Sequence, residues 1–189
     1  MSTITYSSIY RIMHWLIAFC MLFLLLTIIL RNTWLSKDQI ALIIQGFLAS
    51  TDVKLSEEQS IQLARQIRKP MWEWHIYAGY ALTGLYSIRL LLPFFGQMKF
   101  PNPFENGLTA KDKFRLWIHV IFYVFVGISL VTGLFIKFGP ENLEEIMETI
   151  HNLSIYYLLS FIVLHFGGIL LAEISGKEGV VSKMIGGGK

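Results

Sequence analysis

Cysteine is nearly absent: Cys20 is the single one among 189 residues, and it lies within an apolar run. That excludes an intramolecular disulfide, a C-x-x-C-H haem attachment and a cysteine-ligated iron–sulfur cluster. Charge is scarce too, at 15% of residues, where an ordinary soluble domain carries about 25%. The net charge of +3 comes from basic residues scattered through the loops; without a basic stripe, no nucleic-acid partner is expected. No small-x-small cleavage site follows the first apolar run, and that run is long enough to span a bilayer. It is expected to remain as a helix rather than leave as a signal peptide. Internal repeats are also missing.

What is abundant is apolar: 54% of the residues are hydrophobic and the mean hydropathy is +0.54. Fourteen Phe, eight Tyr and five Trp suit a bilayer protein, in which Trp and Tyr collect at the interfaces. Four runs, at about 12–30, 74–95, 116–138 and 151–172, are each close to the roughly 20 residues a helix needs to cross the hydrocarbon core. Helix is required over strand, because an isolated span must satisfy its own backbone in lipid. The expected fold is all-α: one domain over 1–189, a transmembrane four-helix bundle with two short periplasmic helices in the first outer loop, 31–73.

Those two helices announce themselves as capping boxes, Ser36-Lys-Asp-Gln39 and Ser56-Glu-Glu-Gln59, in which serine and the residue three later satisfy each other's orphan amides. They are expected at about 37–49 and 57–68, as a lid over the bundle mouth or a surface for a partner. Lys99, Lys111, Lys113 and Arg115 lie in the 96–115 connection, and Lys177, Lys183 and Lys189 in the tail. The 139–150 connection holds Glu141, Glu144, Glu145 and Glu148 and no Lys or Arg. The positive-inside rule then predicts a bacterial inner-membrane protein with both termini cytoplasmic. Lys37, Lys54, Arg65, Arg68 and Lys69 of the long outer loop run against that bias.

Imidazole is costly in hydrocarbon and therefore points to function. His151 and His165 are fourteen residues apart, which on one helix is almost four turns and about 21 Å of rise. One helix would thus present a ligand near each membrane face. By depth, His14 pairs with His165 at the inner side and His75 with His151 at the outer side. This pattern predicts bis-imidazole ligation of two haem b groups, and six-coordinate iron at both positions means electron transfer rather than chemistry at the metal. The plainer reading of each histidine alone is an interfacial or hydrogen-bonded residue.

His119 is left over at about the depth of His165. It could donate to a haem propionate or a quinone oxygen, make an interhelical hydrogen bond, or replace His14 as ligand. Arg89, fourteen residues after His75, could pair with the inner haem's propionates or snorkel to the headgroups. Arg11, three before His14, carries the same two readings. Gly79, Gly84, Gly127, Gly133, Gly167 and Gly168 could clear room for a large planar ring or serve close helix packing.

Arg11-Ile-Met-His14-Trp15 opening span 1, His75 with Gly79 in span 2, and His151…His165-Phe-Gly167 in span 4 resemble the bacterial cytochrome b561 family and the b-type membrane subunits of nickel–iron hydrogenases and respiratory formate dehydrogenases. The resemblance covers the chain except the 31–70 loop. It implies four helices, two haem b groups and electron exchange with the quinone pool, and it assigns His14 with His165 and His75 with His151. The wide separation of His14 and His75 departs from compact stand-alone members, and the extra span usual in hydrogenase subunits is missing.

The expected role is a transmembrane electron conduit, run in either direction, between a periplasmic redox protein or catalytic subunit and a quinone. Arg89, His119, Lys113 or Arg115 would orient the quinone, and the Glu141–Glu148 stretch would dock a basic partner. Membrane lipid is the other partner, and a homodimer stays open. Two rivals stand beside this. One is a stand-alone superoxide:quinone oxidoreductase using Lys54, Arg65, Arg68 and Lys69 as a cationic funnel; the other is a non-redox scaffold.

Overall fold

The computed structural model describes residues 7–100, 102–174 and 179–186, and every regular element among them is helical. In chain order these are α1 (Ser8–Asn32), α2 (Lys37–Leu48), α3 (Glu57–Leu91), α4 (Ala110–Phe138), α5 (Glu144–Asn152), α6 (Ser154–Ile174) and α7 (Val180–Gly186), with 3₁₀ turns at Leu92–Phe95 and Glu141–Leu143. Four helical stretches, Ser8–Asn32, Glu57–Phe95, Ala110–Phe138 and Glu141–Ile174, are long and apolar enough to cross a membrane. Lys177 and Lys189 of the basic tail lie outside the described residues.

The helices begin where side chains can take over unpaired amides. The Tyr10 amide donates to Ser7 Oγ at 3.2 Å ahead of α1. Thr109 Oγ1 accepts from the Asp112 amide at 3.2 Å and donates to its carboxylate at 2.7 Å, an N-cap of the kind worth about 1 kcal/mol. At the far end of α4 the Gly139 amide donates to the Phe135 carbonyl at 2.7 Å. A Cβ on Gly139 would stand 2.5 Å from that same oxygen, so the close approach requires glycine.

The chain divides into two compact units, Leu16–Tyr86 and Met1–Trp15 with Ser87–Lys189. In the first, Ile40 and Ala41 of α2 and Ala64 of α3 form a buried cluster with Leu35, Ile44 and Ile61 packed against it. Both capping signals act here: Ser36 Oγ accepts from the Gln39 amide at 3.3 Å, and Ser56 and Gln59 bond reciprocally at 2.9 and 3.1 Å. The expected helix at 57–68 is nevertheless not a separate element. α3 runs unbroken from Glu57 through Pro70 to Leu91. Proline removes one backbone bond, to the Gln66 carbonyl, yet its fixed φ is compatible with helix; the buried Ala64 lies on the turn before it, anchored by α2.

In the second unit α4 and α6 meet through aromatic rings. Phe122 stacks on Phe161 at 3.5 Å between centroids, and Phe125 on Tyr157 at 5.4 Å. A polar knot joins them, with Tyr157 Oη donating to Ser129 Oγ at 2.9 Å and Ser129 Oγ bonded to Ser154 Oγ at 2.8 Å. The expected single last helix is broken at Leu153: α5 ends at Asn152 and α6 starts at Ser154. The amides of Leu153 and Tyr156 reach back only three residues, to Ile150 and Leu153, and the Ser154 hydroxyl takes the His151 carbonyl. Such back-bonding by serine competes with the helical ladder and bends it. The acidic 139–150 connection is likewise helical for most of its length, with Glu144 and Glu145 in the first turn of α5, where the helix dipole favours negative charge.

Candidate functional site

His14, in the second turn of α1, and His165, in the middle of α6, come together. Their ring centroids are 6.1 Å apart with 39° between planes. His165 is steadied by stacking on Phe161 at 5.4 Å and an edge contact with Phe166 at 5.8 Å, and His14 by the Trp15 edge at 5.6 Å. His119 of α4 joins the same group, 6.2 Å from His165 at 76°. Its Nδ1 donates to the Arg115 carbonyl at 2.7 Å, leaving the lone pair on Nε2.

A metal–imidazole bond is about 2 Å long, so two of them with half of each ring total about 6 Å. The His14–His165 spacing therefore fits two imidazoles sharing one iron. Two further atoms bear on the fit: Arg11 Nε and Arg89 Nε are both buried without a hydrogen-bond partner. A carboxylate is the group that such orphaned guanidinium donors suit. Among the described residues no group of three or more His, Cys, Asp or Glu could hold a metal ion; haem iron asks the protein for axial donors only.

His151 and His75 are held differently. His151 Nδ1 lies 3.0 Å from the Ser129 carbonyl and 3.2 Å from Thr132 Oγ1. A carbonyl only accepts, so Nδ1 carries the proton and the lone pair falls on Nε2. Gly133 makes room for this ring, since a Cβ there would stand 3.1 Å from His151 Cε1. By contrast, no atom lies within 4 Å of a Cβ built on Gly79, Gly84, Gly167 or Gly168. His75 Nδ1 is 2.7 Å from Thr27 Oγ1, whose own proton goes to the Leu24 carbonyl at 2.6 Å. Thr27 must then accept, and the lone pair of His75 is again on Nε2. Trp72 stacks on His75 at 4.5 Å and 4°. His75 belongs to the Leu16–Tyr86 unit and His151 to the other.

The two arginines do more than face outward. Arg89 is 4% exposed and donates from Nη1 to the Met98 carbonyl at 2.9 Å. Its guanidinium lies 4.3 Å from the Phe100 ring centre and 5.4 Å from that of Tyr123. Met98 adopts φ 47°, a left-handed conformation uncommon for a side-chain-bearing residue, which turns its carbonyl toward Arg89. Arg11 Nη1 donates to the Ile185 carbonyl at 2.6 Å and Trp15 Nε1 to the Met184 carbonyl at 3.4 Å. Glu173 accepts from the Gly179 and Val181 amides at 3.4 Å each. The tail helix α7 thus has an acid at its N-terminal end and a cation at its C-terminal end, the arrangement the helix dipole favours. Both arginines thus spend part of their donor capacity on backbone carbonyls of the protein itself.

Sequence reasoning missed Thr27, Ser129, Thr132 and Trp72, the residues that orient His75 and His151. A signal existed: Thr27 and Thr132 are hydroxyls in apolar runs, and both are nearly inaccessible, at 2% and 4%. The break at Leu153 also separates His151 and His165 onto two helices, so they are not two rungs of one straight helix.

Neither a curated protein nor a solved structure matches this chain. The profile of prokaryotic cytochrome b561 matches residues 5–187, from before the Arg11–Trp15 segment to beyond α7. With four helices able to cross a membrane and histidines gathered within them, the chain belongs to the prokaryotic cytochrome b561 family of membrane electron-transfer proteins.

Proposed function

We propose that this protein is a dihaem b-type cytochrome of the bacterial inner membrane, a single domain over 1–189 folded as a four-helix bundle. It carries electrons between a periplasmic redox protein or catalytic subunit and the quinone pool. The observation that carries this reading is the 6.1 Å spacing of the His14 and His165 rings. These two would hold one haem, and His75 and His151, paired by their depth in the sequence, the other. Haem b with two imidazole ligands supplies one-electron transfer and has no open coordination position.

The chain's own residues do the rest. Ser129 and Thr27 fix the Nδ1–H tautomer of His151 and His75, which keeps Nε2 as the donor atom and raises its basicity. Arg11 and Arg89 offer their unpartnered Nε–H to carboxylates of the bound group. His119, tied by Nδ1 to α4, presents the Nε2 lone pair near Lys113 and Arg115, where it can accept a hydrogen bond and then a proton from a quinol hydroxyl. The Glu141–Glu148 face takes a basic partner. Both termini and the 96–115 connection face the cytoplasm, where the positive charge lies.

Purified protein is expected to show a reduced b-type absorption band and to yield two extractable haems per chain, both reducible by a quinol analogue. A preparation with no such band and no haem would overturn this reading in favour of a non-redox scaffold.

A further inference from the structure

A second concentration of chemistry lies within the Leu16–Tyr86 unit, where no histidine is needed to define it. Arg31, Arg65, Arg68, Lys69, Met71 and Trp72 line a cavity of about 180 Å³. Three guanidinium groups and an ammonium group line one small space. Two carboxylates answer them in part. Glu73 lies 3.9 Å from Lys69 on an exposed face, and the Asp38 charge reaches Arg68. Arg31 is held in place by Trp72, with its guanidinium 4.2 Å from the ring centre.

The depth of this pocket follows from the chain. Arg31 comes directly after Leu30, at the end of the first apolar run, and Trp72 stands just before the second begins. Cationic side chains and tryptophan at span ends sit at the level of the lipid headgroups. Arginine forks suit a tetrahedral oxyanion, and a basic pocket beside a membrane helix suits an anionic headgroup. Met71 adds an apolar wall for the glycerol end of such a lipid.

We propose that Arg31, Arg65, Arg68 and Lys69 form a phosphate-binding pocket at the membrane interface, whose occupant is the phosphate of an anionic phospholipid or a free phosphate. None of these four cations is a proposed haem ligand, although Trp72 of the pocket wall also stacks on His75. Arg65 and Arg68 are the residues to change, because neither belongs to the Ile40–Ala41–Ala64 cluster that joins α2 to α3.

The haem-loaded, full-length protein in nanodiscs is compared by native mass spectrometry with phosphatidylglycerol or phosphatidylcholine as the lipid. Wild type is expected to retain one phosphatidylglycerol and no phosphatidylcholine. Arg65→Gln with Arg68→Gln is expected to bind it about 30-fold more weakly, the loss of two interfacial cations, whereas Arg65→Lys with Arg68→Lys keeps most of the affinity. Retention abolished by millimolar inorganic phosphate, with ³¹P line broadening in lipid-free protein, would identify free phosphate as the occupant. Equal lipid retention in wild type and the glutamine variant, with no phosphate broadening, overturns the site. A changed potential of one haem in that variant, with lipid and phosphate binding unaltered, would overturn it too, by assigning the pocket to haem carboxylates.

Discussion

His14 and His165 are held by rings; His75 and His151 are held by hydrogen bonds. In the first pair the imidazoles lean on Trp15, Phe161 and Phe166, contacts that set a plane but leave the ring free to turn by small amounts. In the second, each Nδ1 is pinned to an oxygen of a neighbouring helix. The lesson is that histidines alike in the sequence can differ in restraint. The hydrogen-bonded histidines are preorganised as ligands, while the ring-packed ones adapt, and a third imidazole, His119, stands within reach of His165.

The largest test of this contrast removes the imidazoles themselves. His151→Ala is expected to lower haem content from two to one per chain, as are His14→Ala and His165→Ala, whereas His119→Ala keeps both. Haem extraction from each purified variant measures this. If His119→Ala lost a haem and His14→Ala did not, the ligand opposite His165 would be His119.

A smaller effect is expected from removing the anchors without touching the ligands. Thr27→Val should weaken haem binding at His75 by about 10- to 100-fold, the usual cost of losing an outer-shell partner. Thr132→Val should cost less at His151, because the Ser129 carbonyl remains. Both should leave the His14–His165 haem unchanged, which competitive haem transfer to an apo-globin, followed at the two resolved absorption components, would reveal. Equal weakening of both haems would erase the distinction drawn between the pairs.

Gly133→Ala tests the fit of the His151 ring more gently. The new methyl would meet Cε1 at 3.1 Å, so the ring must give by a few tenths of an ångström while its Nδ1 bond resists. A shifted low-spin electron paramagnetic resonance signal of one haem, with stoichiometry intact, is the expected outcome; an unchanged spectrum would show that the ring yields freely. Smallest of all is Arg11→Gln. It removes the charge from the end of α7, worth about 0.3–1 kcal/mol, and should quicken proteolysis of the tail and weaken, without abolishing, haem retention at His14–His165. Unchanged proteolysis with a haem lost outright would make Arg11 a partner of the cofactor and not of the tail.

Much was legible beforehand because it depends on local chemistry. A span is a run of apolar residues, and all four expected runs fall within helices. The Ser56–Gln59 box formed in both directions, since a cap involves only residues three apart. The expected separation of a 57–68 helix from the second span fails in the structure, because one backbone bond missing at Pro70 does not end a helix that Ala64 anchors on α2.

By itself the sequence determined the helical class, the four apolar runs and the confinement of histidine to their ends and interiors, because hydropathy and spacing are carried by each segment alone. Only the tertiary structure decided which oxygens orient His75 and His151, that His14 and His119 both meet His165, and that Arg11 and Trp15 grip the tail. Those outcomes rest on hydrogen bonds and ring contacts between residues 19 to 174 positions apart. No local pattern encodes such partners, since which oxygen or ring lies opposite is settled when the helices pack.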